Sequence, residues 1–151
     1  MLNQAWAILR FLGRQHGFYD GSNIQESYLV DWTLETQLDL HSSLAYRQFM
    51  KDDHVEEDVV KAIEAITRFN SQIAQKLTEN NTTFFASDRL TIADFVITAQ
   101  YLQFAFNEAN SREVVGRAAA VVATTPIVGE YLARVKAELA DFLAVRGAYP
   151  V

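Results

Sequence analysis

Thr91 and Asp94 combine the residue types and the three-residue spacing that close hydrogen bonds around a helix start. A threonine hydroxyl suits the N-cap, where it can accept from a free backbone N–H of the first turn. Asp94 can reach back to the N–H of Thr91, a capping box with aspartate in place of the usual Glu or Gln. Leu90 and Phe95 fall at N′ and N4, positions that form a hydrophobic staple over the same turn. Buried there, Asp94 needs hydrogen-bond partners, because an unpaired carboxylate in a core costs several kcal/mol. The other reactive residue types form no constellation. The chain has no cysteine, which excludes thiol catalysis, disulfides and thiolate metal sites. His16, His41 and His54 share no metal-ligand spacing, so no metal is expected. Neither a glycine-rich phosphate loop nor a serine-centred elbow occurs. Glu56-Glu57-Asp58 reads as an acidic first turn that complements a helix dipole, not as a catalytic carboxylate pair.

The elements that must position the Thr91–Asp94 box follow from periodicity. Phe95 to Asn107 carries no charge, and a helix apolar on nearly all sides belongs at the centre of a domain. Ala5, Ile8, Leu9 and Leu12 make a helical stripe near the start. Gly13 and Gly17 then read as loosening the chain before a turn at Asp20-Gly21. Ser22 with Gln25, or Asn23 with Glu26, offers a capping box for a helix from Ile24 to about Met50, broken by Lys51-Asp52-Asp53. Val59, Ala62, Ile63, Ile66, Phe69, Ile73 and Leu77 mark the inner face of a third helix. A polar connection from Thr78 to Arg89 is interrupted by Phe84 and Phe85, which are expected to tuck under the core. Asn110 with Glu113 caps a short helix to about Ala123, and Thr125-Pro126 starts a last one. Its face is Ile127, Tyr131, Val135, Leu139 and Phe142, and Gly147 to Val151 reads as irregular. No β-alternation or internal repeat is present, so the predicted class is all-α: five to seven helices around a buried central one.

At 151 residues the chain is one domain by length, large enough to bury a core without metal or disulfide. A net charge of −6 argues against nucleic acid as the main partner. No apolar run approaches the roughly 20 residues that span a bilayer. Residues 1 to 19 carry Arg10 and Arg14 but no acid; an amphipathic core-packing helix accounts for them better than a targeting presequence. Asn80-Asn81-Thr82-Thr83 holds two overlapping glycosylation sequons with no signal peptide before them, and they carry no weight.

The segment Phe84-Phe85-Ala86-Ser87-Asp88-Arg89-Leu90-Thr91-Ile92-Ala93-Asp94-Phe95 resembles the loop and capped core helix of the cytosolic glutathione transferases, with Ser87 where glycine is common. Gln4 to Gly13 (QAWAILRFLG) and Gly17-Phe18-Tyr19 are similar to the last helix of that family's glutathione-binding half and the linker after it, in the mu, pi and sigma style. Val30-Asp31 and Asp39 also match. The resemblance implies a glutathione-transferase C-terminal-like helical domain over 20–151, with 1–19 as remnant last helix and linker of a thioredoxin-like half. The Tyr or Ser that polarises the glutathione sulfur belongs to the part of that half not represented here. Ala5 stands where the family's glutathione-binding serine is expected.

Completed by such a half, the implied reaction is attack of the glutathione thiolate on an electrophilic carbon, with glutathione as co-substrate and no cofactor. The resemblance assigns Gln4 to the γ-glutamyl end of glutathione and Asp39 to the glutathione amine of a neighbouring subunit. Ala45 and Phe49 would face the electrophile pocket, and Arg10 and Asp31 would pair across a dimer interface. A cytoplasmic homodimer active in detoxification follows from the same likeness. The isolated chain is expected to be inactive and to flow through glutathione-agarose. The rival reading is a non-catalytic interaction or dimerisation module, favoured by Ala5. Apolar faces around Trp6, Phe11 and Trp32, left without the missing half, predict self-association.

Overall fold

The helical periods become seven helices in a computed structural model that describes residues 4–42, 56–107, 109 and 112–146. They are α1 (Ala5–Gln15), α2 (Ile24–Ser42), α3 (Glu56–Glu79), α4 (Ile92–Phe104), α5 (Glu113–Ala123), α6 (Pro126–Glu138) and α7 (Ala140–Val145). Among the described residues there is no strand. The all-α expectation, with a buried central helix, holds.

Helix α4 owes its position to its sequence. Ile92, Ala93, Asp94, Val96, Ile97, Thr98, Gln100, Tyr101 and Phe104 are all buried, and the remaining positions, Phe95, Ala99, Leu102 and Gln103, fall on one narrow stripe. Helices α1, α2, α5 and α6 surround it, and α2 makes the most extensive of these contacts. Helix α3 presents Val59, Ala62, Ile66, Phe69 and Ile73 inward and packs against α5, α6 and α2. Its acidic first turn is answered by cations: Glu57 meets Lys61 at 2.7 Å, and Glu56 meets Arg117 of α5 at 2.8 Å. Pro126 occupies the first turn of α6, where its missing N–H removes no bond.

Four local expectations are corrected. Gly13 does not loosen the chain. It is the buried contact of α1, and a Cβ there would lie 2.8 Å from Ile92 Cγ2 and 3.1 Å from Tyr19 Cβ. The stripe on α1 is correspondingly incomplete: Trp6 and Leu9 pack on the core, while Ala5 and Leu12 are exposed. The N-cap of α5 falls on Arg112, whose backbone is extended, and Asn110 lies outside the described residues. The last helix is interrupted at Leu139, and beyond that kink Phe142 is 60% exposed instead of facing inward. Residues 43–55, which include the expected end of the second helix, and 147–151 are also outside the described residues.

Candidate functional site

The first turn of α4 is built around Asp94, which is wholly buried. Its Oδ2 accepts from the Thr91 N–H at 2.8 Å and the Thr91 hydroxyl at 2.9 Å. Its Oδ1 accepts from the Phe85 N–H and the Tyr131 hydroxyl, each at 2.9 Å. Both oxygens are satisfied, and the capping box expected of Thr91 and Asp94 is present. Burial pushes the Asp94 carboxyl above the usual carboxylate value, and the four donors pull it back part of the way. The Tyr131 phenol is held well above its ordinary value, by its burial first and then by the Asp94 charge. This constellation ties α4, α6 and the preceding loop together. A carboxylate enclosed by its own scaffold cannot reach a substrate, so Asp94 is an organiser and not a reactive group.

The loop before α4 folds on the same centre. Phe85 is fully buried, stacked on Trp32 at 6.0 Å and tilted against Tyr131 at 6.4 Å. The Asn80 amide donates to the Phe85 carbonyl at 3.0 Å, and Asp88 accepts from the Thr83 N–H at 2.9 Å. Phe84 and Phe85 thus tuck inward as their apolar character requires.

The N-terminal segment converges on this turn as well. The Ile92 N–H donates to the Phe18 carbonyl at 2.9 Å. The Arg89 guanidinium donates to the Gly17 carbonyl and holds Glu26 at 2.7 and 3.0 Å. Glu26 is 3% exposed and also accepts from the Asp20 N–H at 2.8 Å. Asn23 caps α2 by accepting from the Glu26 N–H at 3.1 Å. The reciprocal half of that capping box goes elsewhere, because the Glu26 carboxylate serves Asp20 and Arg89.

The residues singled out by resemblance are distributed as follows. Gln4 is the N-cap of α1, exposed, with φ 69°, the one non-glycine residue with positive φ among those described. Arg10 and Asp31 face one another within the chain, with Nε to Oδ1 at 2.8 Å. The Tyr19 hydroxyl completes Asp31 at 3.0 Å, and Glu35 takes the other side of Arg10 at 3.2 Å. Asp39 is exposed on α2 at a cleft of about 230 Å³ between α2 and α3, which Thr36, Arg68 and Gln72 also line. Ala45 and Phe49 lie outside the described residues. Of the three aromatic residues expected to be bared, Phe11 is 52% exposed, Trp6 is half-buried, and Trp32 is covered by Phe85 with Lys76 6.0 Å from its ring centre.

Sequence reasoning missed a polar cluster on the inner side of α2, in which Gln37 and Gln100 are buried and His41 is partly buried. His41 Nε2 lies 2.9 Å from Gln100 Oε1 and 3.2 Å from Gln37 Nε2, with Phe104 edge-on at 5.9 Å. Burial lowers the His41 pKa below 6.5, against the opposing pull of Gln100. Tyr101 on α4 similarly donates to Asn70 at 2.9 Å, and Asn70 donates to Thr125 at 2.7 Å. No spacing rule links residues 59 apart, such as His41 and Gln100, so no local signal could have found these. Among the described residues no group of acids and histidines could hold a metal ion, and no helix is long and apolar enough to cross a membrane.

A family model described as glutathione S-transferase, C-terminal domain, matches residues 38–145, and no curated protein matches the chain.

Proposed function

The chain belongs to the glutathione S-transferase C-terminal domain family, and from that premise we propose that it forms the helical side of a glutathione-conjugating site. In this reading a thioredoxin-like half supplies the group that polarises the sulfur. The thiolate attacks an electrophilic carbon, the carbon–halide bond of an aryl halide breaks, and halide leaves. Gln4 contacts the γ-glutamyl end, and Asp39 receives the glutathione amine of a neighbouring subunit through a charge-assisted bond.

The observation that carries the proposal is the backbone of Gln4. A non-glycine residue at φ 69° costs energy that most positions do not retain, and such strain concentrates where a ligand is gripped. Here it falls on the residue that the likeness assigns to glutathione. Exposed Phe11, Leu12 and Tyr28 on α1 and α2 supply apolar surface for the companion half or for a second copy in a homodimer. The setting that suits this chemistry is the cytoplasm, and the role is detoxification.

One observation favours a second reading, a non-catalytic interaction module. Ala5, exposed at the start of α1, has no hydroxyl for the γ-glutamyl carboxylate. The two readings separate on glutathione-agarose. The isolated chain passes through, whereas the chain joined to a thioredoxin-like half of a mu-, pi- or sigma-type enzyme is retained and conjugates an aryl halide. Retention should fall on Gln4→Ala. A joined protein that is folded yet neither binds nor conjugates glutathione overturns the first reading and leaves the module.

A further inference from the structure

Helices α4 and α6 leave between them a surface cleft of about 160 Å³. Tyr101, Leu102, Phe106 and Leu132 make it mainly apolar, and none of its lining residues carries the glutathione resemblance. Three features of this cleft are unexplained by packing.

Thr98 lines it, is only 3% exposed, and its hydroxyl has no hydrogen-bond partner among the described residues. An unpaired buried hydroxyl destabilises a fold, and valine would fill the same shape without that cost. Gly129 also lines it, from the interior of α6, where glycine weakens a helix. A Cβ at Gly129 would meet nothing within 4 Å, so no neighbour requires its absence. Its smallness leaves space. Lys136, on the same stripe of α6, is exposed beside the cleft and has no ion-pair partner among the described residues.

We propose that this cleft binds a small aromatic carboxylate of one ring. A cavity of about 150 Å³ accepts a benzene ring, so the volume fits a single ring and little more. Apolar walls take the ring. The Lys136 ammonium supplies the opposite charge, and the Thr98 hydroxyl, sealed from solvent as the cleft stands, supplies an unused donor once the ligand parts α4 from α6. A cationic or purely aliphatic molecule of similar size satisfies only part of this set.

Benzoate is the probe, titrated into the full chain and followed through backbone amide shifts. Shifts should centre on Thr98, Gly129 and Lys136, with Kd in the millimolar range expected for so few atoms. Lys136→Gln should weaken binding roughly fivefold, as loss of an exposed charge contact does. Gly129→Leu should abolish it. Thr98→Val should weaken binding while raising the melting temperature, a combination that a merely structural threonine would not give. Benzylamine and acetate should leave the same amides unmoved. Equal shifts from benzylamine overturn the proposal, as does unchanged benzoate binding by a Gly129→Leu variant with native circular dichroism. Absence of localised benzoate shifts overturns it too.

Discussion

Tyr131 on α6 donates to Asp94 on α4 at 2.9 Å, and both side chains are fully buried. The bond joins two helices at the point where the preceding loop also enters, through the Phe85 N–H. Tyr131→Phe removes one of four donors to a buried carboxylate and should cost about 1–3 kcal/mol. Asp94→Ala removes the capping-box carboxylate and leaves four donor groups without their acceptor, which should cost about 3 kcal/mol or more. Urea titration of both variants and their double mutant gives the coupling. Strict additivity would contradict the shared network.

Gly13→Ala should destabilise the chain by about 1–3 kcal/mol, although alanine is the better helix former. The new methyl would sit 2.8 Å from Ile92 Cγ2, on a β-branched side chain with little freedom to move. Trimming the obstacle with Ile92→Val, which retains Cγ2, should not rescue the variant. A gain in urea midpoint for Gly13→Ala alone would show that α1 does not approach α4 so closely.

Glu26 and Arg89 should respond unequally to substitution. Arg89→Met strands a carboxylate that is 3% exposed, leaving it the Asp20 N–H, and should cost about 1–2 kcal/mol. Glu26→Gln keeps the shape and leaves a half-exposed guanidinium that water can serve, so its cost should be smaller. The reverse order in chemical denaturation would argue against the buried side of this pair.

His41 sets a pH dependence with a definite sign. Burial lowers its folded pKa below 6.5, so the folded state takes up its proton less readily than the unfolded chain. The contribution is fully present above pH 6.5 and is lost as pH falls through the lowered folded value. Urea midpoints at about pH 7.5 and about pH 5.5 should differ more for the native chain than for His41→Gln. Identical slopes would mean that His41 titrates as an exposed histidine.

The parts of this fold that were legible in the sequence are those whose determinants are local. Thr91, Asp94 and the uncharged run after them define a capped, enclosed helix within a few residues, and Pro126 marks a helix start on its own. Gly13 was misread because glycine inside a helical period signals either freedom or close approach, and only the position of Ile92 decides. The break at Leu139 was invisible because the apolar spacing continues through it to Phe142. The Asn23–Glu26 box, one of the two alternatives the sequence offered, was half right: the Asn23 side chain accepts from the Glu26 N–H, but the Glu26 carboxylate had a better partner in Arg89, 63 residues on. Gln37, His41 and Gln100 form a part-buried polar cluster that local sequence gives no reason to assemble.

A carbonyl far upstream serves an amide at the head of the central helix. The Ile92 N–H belongs to the first turn, whose amides have no acceptor within their own helix, and Phe18 supplies one from outside. Deuterium uptake at that amide thus reports how often the N-terminal stem lifts away, not how the helix frays. An excised fragment beginning after Phe18 would start life with that amide unsatisfied.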